Sequence, residues 1–312
     1  MNLEKDILKV LAYFDVFHYP VTAREIRSFL PCSPSEKLLD ETLIHLCLKK
    51  KIFQNSDLFS LRDDISLVDQ RRADNLRASI LLKKAHAISA FLFQFPYVRA
   101  VGISGSLSKN VADENADIDF FIITSANRLW IARTLMHLFK KFTFLVGKQH
   151  WFCMNYYIDE EALQITDKNI YTATEVVTLV PVCGNGMLKQ FYDANAWTRI
   201  FFPNYQQYTS AIRASGPGIF KKIVEQVFNN SFGEMIDNYL MKLTTRRWNQ
   251  KEYEGRLNIK GGRMGLRTGK HFSKPNPAFF QQKVLLNYER KLGEIEKYTT
   301  AVRTPGSIQV EV

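Results

Sequence analysis

The sequence predicts an α+β protein: a small mixed sheet with flanking helices, led by a compact helical module and followed by a helical region. Three observations predict it. Apolar residues at helical spacing open the chain and return after residue 188. Between them, apolar runs at 98–104, 117–124 and 151–158 read as strands alternating with helices. Capping and breaking residues, among them Pro20, Thr22 and Pro96, fall at the boundaries. With 312 residues, 46% of them hydrophobic and 23% charged, the chain has ample apolar material for a core, and its length suggests two or three domains.

The first helix spans about Leu3 to Phe17, because Ile7, Leu8, Leu11 and Phe14 share one face. Tyr19-Pro20 ends it. Thr22-Ala23-Arg24-Glu25 fits a capping box, in which the hydroxyl and the glutamate exchange bonds with the first-turn backbone. Ser33-Pro34-Ser35-Glu36 repeats the pattern with Pro34 at the first helical position. A third helix carries Leu38, Leu39, Leu43, Leu46 and Cys47 and ends in Lys49-Lys50-Lys51. Two short strands flank Asn55-Ser56-Asp57 as a hairpin. Three helices and a hairpin over residues 1–65 resemble a winged helix. Such a module binds DNA through its third helix or serves as a docking unit. Here Lys37 and the triple lysine are the candidate phosphate contacts, opposed by Asp40 and Glu41.

A long helix over 66–95 should turn Arg71, Arg72, Arg77, Lys83 and Lys84 outward and Leu76, Ile80, Leu81, Ile88 and Phe91 inward. The strands and helices that follow, to residue 187, make the second module. Their helices are read at 126–144 and 171–180. Residues 188–312 form the third module: helices after Pro217, a basic glycine- and proline-containing loop over 255–277, and a last helix over about 277–298.

The net charge is +11, and residues 240–312 hold 15 Lys and Arg against 6 Asp and Glu. That basic lobe fits an anionic partner such as nucleic acid or nucleotide, or a solvated basic surface. No apolar run reaches the roughly 18 residues of a membrane span, and no apolar leader block precedes Glu4 and Asp6. Cys32, Cys47, Cys153 and Cys183 are far apart, without the spacing of a zinc site or disulfide framework. The histidines show no metal-binding spacing. No membrane and a reducing cytoplasm are the expectations.

One segment carries chemistry. Val101-Gly102-Ile103-Ser104-Gly105-Ser106 is followed, after ten residues, by Asp117-Ile118-Asp119-Phe120-Phe121. A strand delivers Gly105-Ser106 to a tight turn and a helix start at Leu107, offering backbone N–H groups and a hydroxyl to phosphate oxygens. Asp117 and Asp119 point to one face of the next strand. Two adjacent carboxylates repel unless a cation lies between them. Hard oxygen ligands suit Mg²⁺ or Mn²⁺ shared with substrate phosphates.

This pattern resembles the signature of the DNA polymerase beta-like nucleotidyltransferase superfamily, and its wording is similar to that of uncharacterised bacterial proteins with such a domain. The signature covers about 20 residues, and the superfamily core would cover about 98–160. The resemblance implies a polymerase-beta-like core and Mg²⁺-dependent transfer of a nucleoside monophosphate from an NTP. The acceptor is open: a small-molecule hydroxyl or amine, RNA, or a protein side chain. Gly105 and Ser106 would grip the triphosphate and Asp117 and Asp119 would hold the metal, with Lys109 as a further phosphate contact. The superfamily usually adds a third carboxylate on a later strand. Here Asn155 fills the central slot, while alternation puts Cys153, Asn155, Tyr157 and Asp159 on one face. Either Asn155 or Asp159 completes the site, or turnover is impaired and the chain binds nucleotide or metal. A nucleic-acid-binding regulator is the remaining reading. Glu175 and the aromatics Tyr156, Tyr157, Trp197, Phe201 and Phe202 are minor candidates.

Overall fold

A computed structural model describes residues 2–145, 147, 149–207, 216–257, 265–275 and 279–301. In chain order its first elements are α1 (Leu3–Asp15), β1 (Val21–Thr22), α2 (Ala23–Phe29), α3 (Glu36–Leu48), β2 (Phe53–Asn55), β3 (Leu58–Ser60) and α4 (Ser66–Leu92). Then come β4 (Val98–Ser104), β5 (Asp119–Thr124), α5 (Leu129–Leu145), β6 (Cys153–Asp159), α6 (Ile170–Val177), β7 (Val180–Cys183) and α7 (Asn185–Ala194). The last are α8 (Ile219–Phe228), α9 (Ser231–Tyr253), β8 (Leu266–Thr268), β9 (Phe272–Pro275) and α10 (Phe280–Ala301). The architecture is mixed α+β, a small sheet with flanking helices. Among the described residues no helix is long and apolar enough to cross a membrane.

The chain divides into two compact units. The first comprises residues 1–71, 200–205 and 281–312; the second comprises 72–199 and 206–280. The stretch from 188 on is therefore shared between the two.

In the first unit α1, α2 and α3 surround Ile7, Leu11, Ile26, Leu43 and Leu46, all buried. The hairpin β2–β3 is joined by β1, so the small sheet has the antiparallel order β1-β3-β2. The Thr22 capping box is present as read: Thr22 Oγ1 accepts from Glu25 N, and Glu25 accepts from Thr22 N at 2.8 Å. At α3 the cap is Ser35, which accepts from Leu38 N, so Pro34 lies before the helix and not within it. Ser33 instead donates to the Asn204 side chain. His45, Lys49 and Lys51 gather round Glu4, at 2.9, 3.8 and 3.8 Å.

Asp15 holds this unit's distant segments together. It is buried at the end of α1 and is bonded by Arg62 and by Lys291 of α10. Burial pushes its carboxyl up, but these two cations outweigh burial and hold it below the usual range. Tyr288 of α10 adds an edge-on ring contact to Tyr13, 5.7 Å between centroids.

The long helix α4 keeps part of the face read from its sequence, with Arg72, Lys83 and Lys84 exposed and Leu81 and Ile88 packed against the core, and departs from it elsewhere. Arg71 is buried, donating to the Pro20 carbonyl and to Glu25. Leu76, Ile80 and Phe91 are exposed. The buried stripe runs through Ala78, Ala85, Ser89 and Leu92. Small residues there allow close approach to the sheet, and Leu81, Leu82 and Ile88 pack beside them.

The second unit is built on a six-stranded sheet of order β7-β4-β5-β6-β9-β8. Strand β5 pairs antiparallel with β4 and parallel with β6; the other pairs are antiparallel. One face buries Val101, Phe120, Ile122, Trp130, Met136 and Tyr157 beneath α4 and α5. The other buries Ala100, Phe121, Ile123, Val176 and Phe191 beneath α6 and α7. Tyr156 and Trp197 pack into this second cluster, and Tyr157 and Phe202 are buried, so these aromatics belong to cores rather than to a base-stacking surface.

Two features depart from the sequence reading. Residues 180–183 continue as a strand beyond α6, because β4 offers them an unpaired edge. The segment read as a basic loop contains the hairpin β8–β9, which extends the sheet from β6. Gly261, Gly262, Arg263 and Met264 of that segment lie outside the described residues, as does the end of the chain beyond 301.

Replacing Asp15 by Asn leaves Arg62 and Lys291 facing a neutral amide. We expect a loss of about 2–4 kcal/mol at pH 7 in urea unfolding. A carboxyl held below its unfolded range contributes stability at higher pH and loses it as pH falls through the folded value. The difference between variant and wild type should therefore shrink below about pH 4.

Candidate metal and phosphate site

Strands β4 and β5 bring the two halves of the motif together. Ser104 and Asp119 are register partners at their shared end. The next residue, Gly105, has φ +70°, the left-handed region that favours glycine. A Cβ there would lie 2.4 Å from Asp119 Oδ2. Gly105 thus serves two needs, the turn and the space for the carboxylate.

The turn is a single 3-10 turn, Leu107–Lys109, not the opening of a longer helix. Ser106 is exposed, and its hydroxyl caps nothing. The Gly105 carbonyl accepts from Ser108 Oγ at 2.8 Å and from Lys109 Nζ at 3.0 Å. Lys109 Nζ also meets Glu175 Oε1 at 2.8 Å. The sequence suggests Lys109 as a phosphate contact; in the structure its ammonium bridges the turn and Glu175 of α6. Glu175, a minor candidate in the sequence, is the other half of that bridge.

Asp117 precedes β5 rather than lying within it, because the strand proper begins at Asp119. It is half-buried, and Asp117 Oδ1 lies 2.7 Å from His150 Nδ1. Backbone bonds fix His150 there: Ile118 N donates to His150 O and Cys153 N to Ile118 O. No spacing rule marks His150, and the sequence reading missed it.

Asp119 accepts from Asn155 Nδ2, while Asn155 Oδ1 accepts from the Cys153 thiol at 3.2 Å. Burial, then the nearby charge of Asp117, push the Asp119 carboxyl up to about 7. Burial, then Asp119, push the Cys153 thiol up to about 12, so it stays protonated.

Asn155 reaches the acids through a β-bulge. Phe120 pairs with Met154 and Phe121 with Tyr156, leaving Asn155 as the extra residue of β6. The bulge also breaks the expected alternation. Beyond it Tyr157 and Asp159 share the face of Ile122 and Thr124, opposite that of Asp119. Asp159 lies at the other end of β6 from Cys153, about 20 Å away by strand rise. It is fully buried and accepts from Asn127 N, Glu161 N and His271 Nδ1, at 3.0, 3.0 and 2.9 Å. Asp159 is therefore a structural acid at the start of α5 and not a ligand beside Asp117 and Asp119. The structure brings Gly105, Ser106, Asp117, Asp119 and Asn155 together and leaves Asp159 out.

Among the described residues no group of three or more His, Cys, Asp and Glu side chains is arranged to hold a metal ion. Two carboxylates still fit one hard divalent cation whose remaining ligands are phosphate oxygens and water, the usual regime of Mg²⁺. The mutual repulsion felt at Asp119 is what such an ion relieves. Compared with known proteins, the chain matches no family model, and no curated protein or solved structure matches it significantly.

Two outcomes are expected. Gly105→Ala should abolish metal binding at this site while leaving the far-ultraviolet circular dichroism of the sheet intact, because its Cβ displaces the Asp119 carboxylate. Asp119→Asn should stabilise the metal-free protein. A carboxyl whose folded value lies above its unfolded value costs stability as pH rises from about 4 to 7. The gain in thermal midpoint should thus be largest at pH 8 and vanish below pH 4.

Proposed function

We propose that the chain is a nucleotidyltransferase that moves a nucleoside monophosphate from an NTP to an acceptor hydroxyl or amine with the help of Mg²⁺. The observation that carries this reading is the register contact of Ser104 with Asp119, which sets Gly105-Ser106 against a carboxylate pair. The same reading takes the six-stranded unit as a polymerase-beta-like core. It takes the three helices and three-stranded sheet of the first unit as a winged helix. The exposed face of α3 mixes Lys37, Leu38, Asp40, Glu41 and Ile44, which suits protein docking better than a phosphate backbone.

Asp117 and Asp119 would hold the ion, which when bound supplies positive charge to the triphosphate and to the attacking oxygen. The exposed Ser106 hydroxyl and the backbone N–H groups of the turn orient phosphate oxygens. Lys109 and Glu175 keep the turn closed, so the donors stay aimed without reorganisation. His150 sits on Asp117 and orients its second oxygen. Asn155 orients Asp119 in the same way. The leaving group is pyrophosphate.

One observation favours a weaker version of this function. The slot where the resemblance expects a third acid holds Asn155, and its amide is bonded to Asp119. An amide removes no proton from an acceptor hydroxyl, so nucleotide binding would outlast turnover.

Calorimetric titration with each NTP, with and without Mg²⁺, tests the proposal. We expect Mg²⁺-dependent binding of at least one NTP that disappears in Asp117→Ala/Asp119→Ala. No binding by wild type or unchanged binding by the double variant would overturn it. Asn155→Asp then separates the versions: a rise in pyrophosphate release of tenfold or more marks a site limited by the missing acid.

A further inference from the structure

A second polar cluster lies on the opposite face of β6 and is not used by the chemistry above. Its centre is Arg133 of α5, only 6% exposed. A guanidinium keeps its charge in any ordinary environment. Burial lowers its proton affinity, and among the described residues no carboxylate acts on it. Its Nε has no hydrogen-bond partner. The charge rests on the face of Trp130, 5.4 Å from the ring centroid. A buried cation without a counter-charge is costly.

Two further unpartnered groups converge on the same place. His137 is one helical turn along α5 from Arg133, on the same face. Its Nε2 is buried without a partner, and its ring lies 6.1 Å from that of Tyr157. Burial, then the positive charge of Arg133, hold His137 neutral. Tyr157 is the register partner of Ser273 in β9, so both point to the face covered by α5. Ser273 is 1% exposed, and its Oγ also lacks a partner. Among the described residues the Tyr157 hydroxyl has only the weak acceptor Met136 Sδ, at 3.8 Å.

Every one of these groups can donate a hydrogen bond, and none of them carries negative charge. Among the described residues, six buried side-chain atoms lack partners, and three of the six lie here. Water could satisfy the hydroxyl and the imidazole, but it would leave the guanidinium charge uncompensated. We propose that Arg133, His137 and Ser273 form a binding site for a single anionic group of phosphate or carboxylate chemistry. The site is separate from the acid pair and does not rest on the nucleotidyltransferase reading.

The test uses the full chain in a buffer free of phosphate and carboxylate. Inorganic phosphate and acetate are titrated separately by calorimetry, with thermal midpoints recorded in parallel. We expect one of the two probes to bind with one-to-one stoichiometry and to raise the midpoint. Ser273→Ala should weaken that binding about tenfold, the effect of one hydrogen bond to a charged group. Arg133→Met should abolish it and, without anion, should melt above wild type because the uncompensated charge is gone. If Arg133→Met does not fold, Ser273→Ala and His137→Phe carry the test. Failure of both probes to bind would overturn the proposal. So would binding that is unchanged in the variants, which would assign it to the basic surface.

Discussion

The approach of Gly105 to Asp119 is the constraint on which the second unit turns. At the shared end of β4 and β5 the backbone must reverse within van der Waals distance of a carboxylate. Only a residue without Cβ can take φ +70° there and leave room for the acid. Once that contact is met, the pairing of β4 with β5 is set in register. From β5 the sheet grows in both directions, to β7 through β4 and to β8 through β6. The site and the sheet therefore share one geometric condition, and neither can shift without the other.

The two polar clusters lie at different places on the sheet. Asp117, Asp119 and the tight turn lie at one end of the central strands. Arg133 and its neighbours lie on the face beneath α5, with the apolar side chains of Phe120, Ile122 and Met136 on the same side of the sheet. In a low-dielectric interior two such groups of charge would interact strongly if they were adjacent.

What the sequence made legible was local. The run Val98–Ser104 is a strand with the bounds that its apolar pattern suggests, and the capping box at Thr22 works as its spacing requires. Gly105, Ser106, Asp117 and Asp119 could be grouped because a turn and a two-residue period are short-range geometry. Asn155 meets Asp119 through a bulge and not through the plain alternation that its sequence suggests. The same bulge sent Asp159 to the other face, and no feature of Met154-Asn155-Tyr156 announces it. His150 and the Lys109–Glu175 clamp depend on partners 33 and 66 residues away, beyond any spacing rule. The shifted buried stripe of α4 and the β8–β9 hairpin share a cause. Tertiary packing chose small residues over large ones in the first case, and an open sheet edge over a loop composition in the second.

Asp15 makes the first unit a closed circuit in sequence. Its neighbours come from α1, from Arg62 after β3 and from α10, with Phe29 of α2 set against Phe202. During synthesis, α1 to β3 leave the ribosome more than two hundred residues before Lys291 and Tyr288 exist. Domains ordinarily fold in order from the N-terminal end. Here the second unit has all its residues before the first can close. The emerging helices must wait with Tyr13 and the Asp15 carboxylate incompletely covered, so the unit at the front of the chain is the last to be completed.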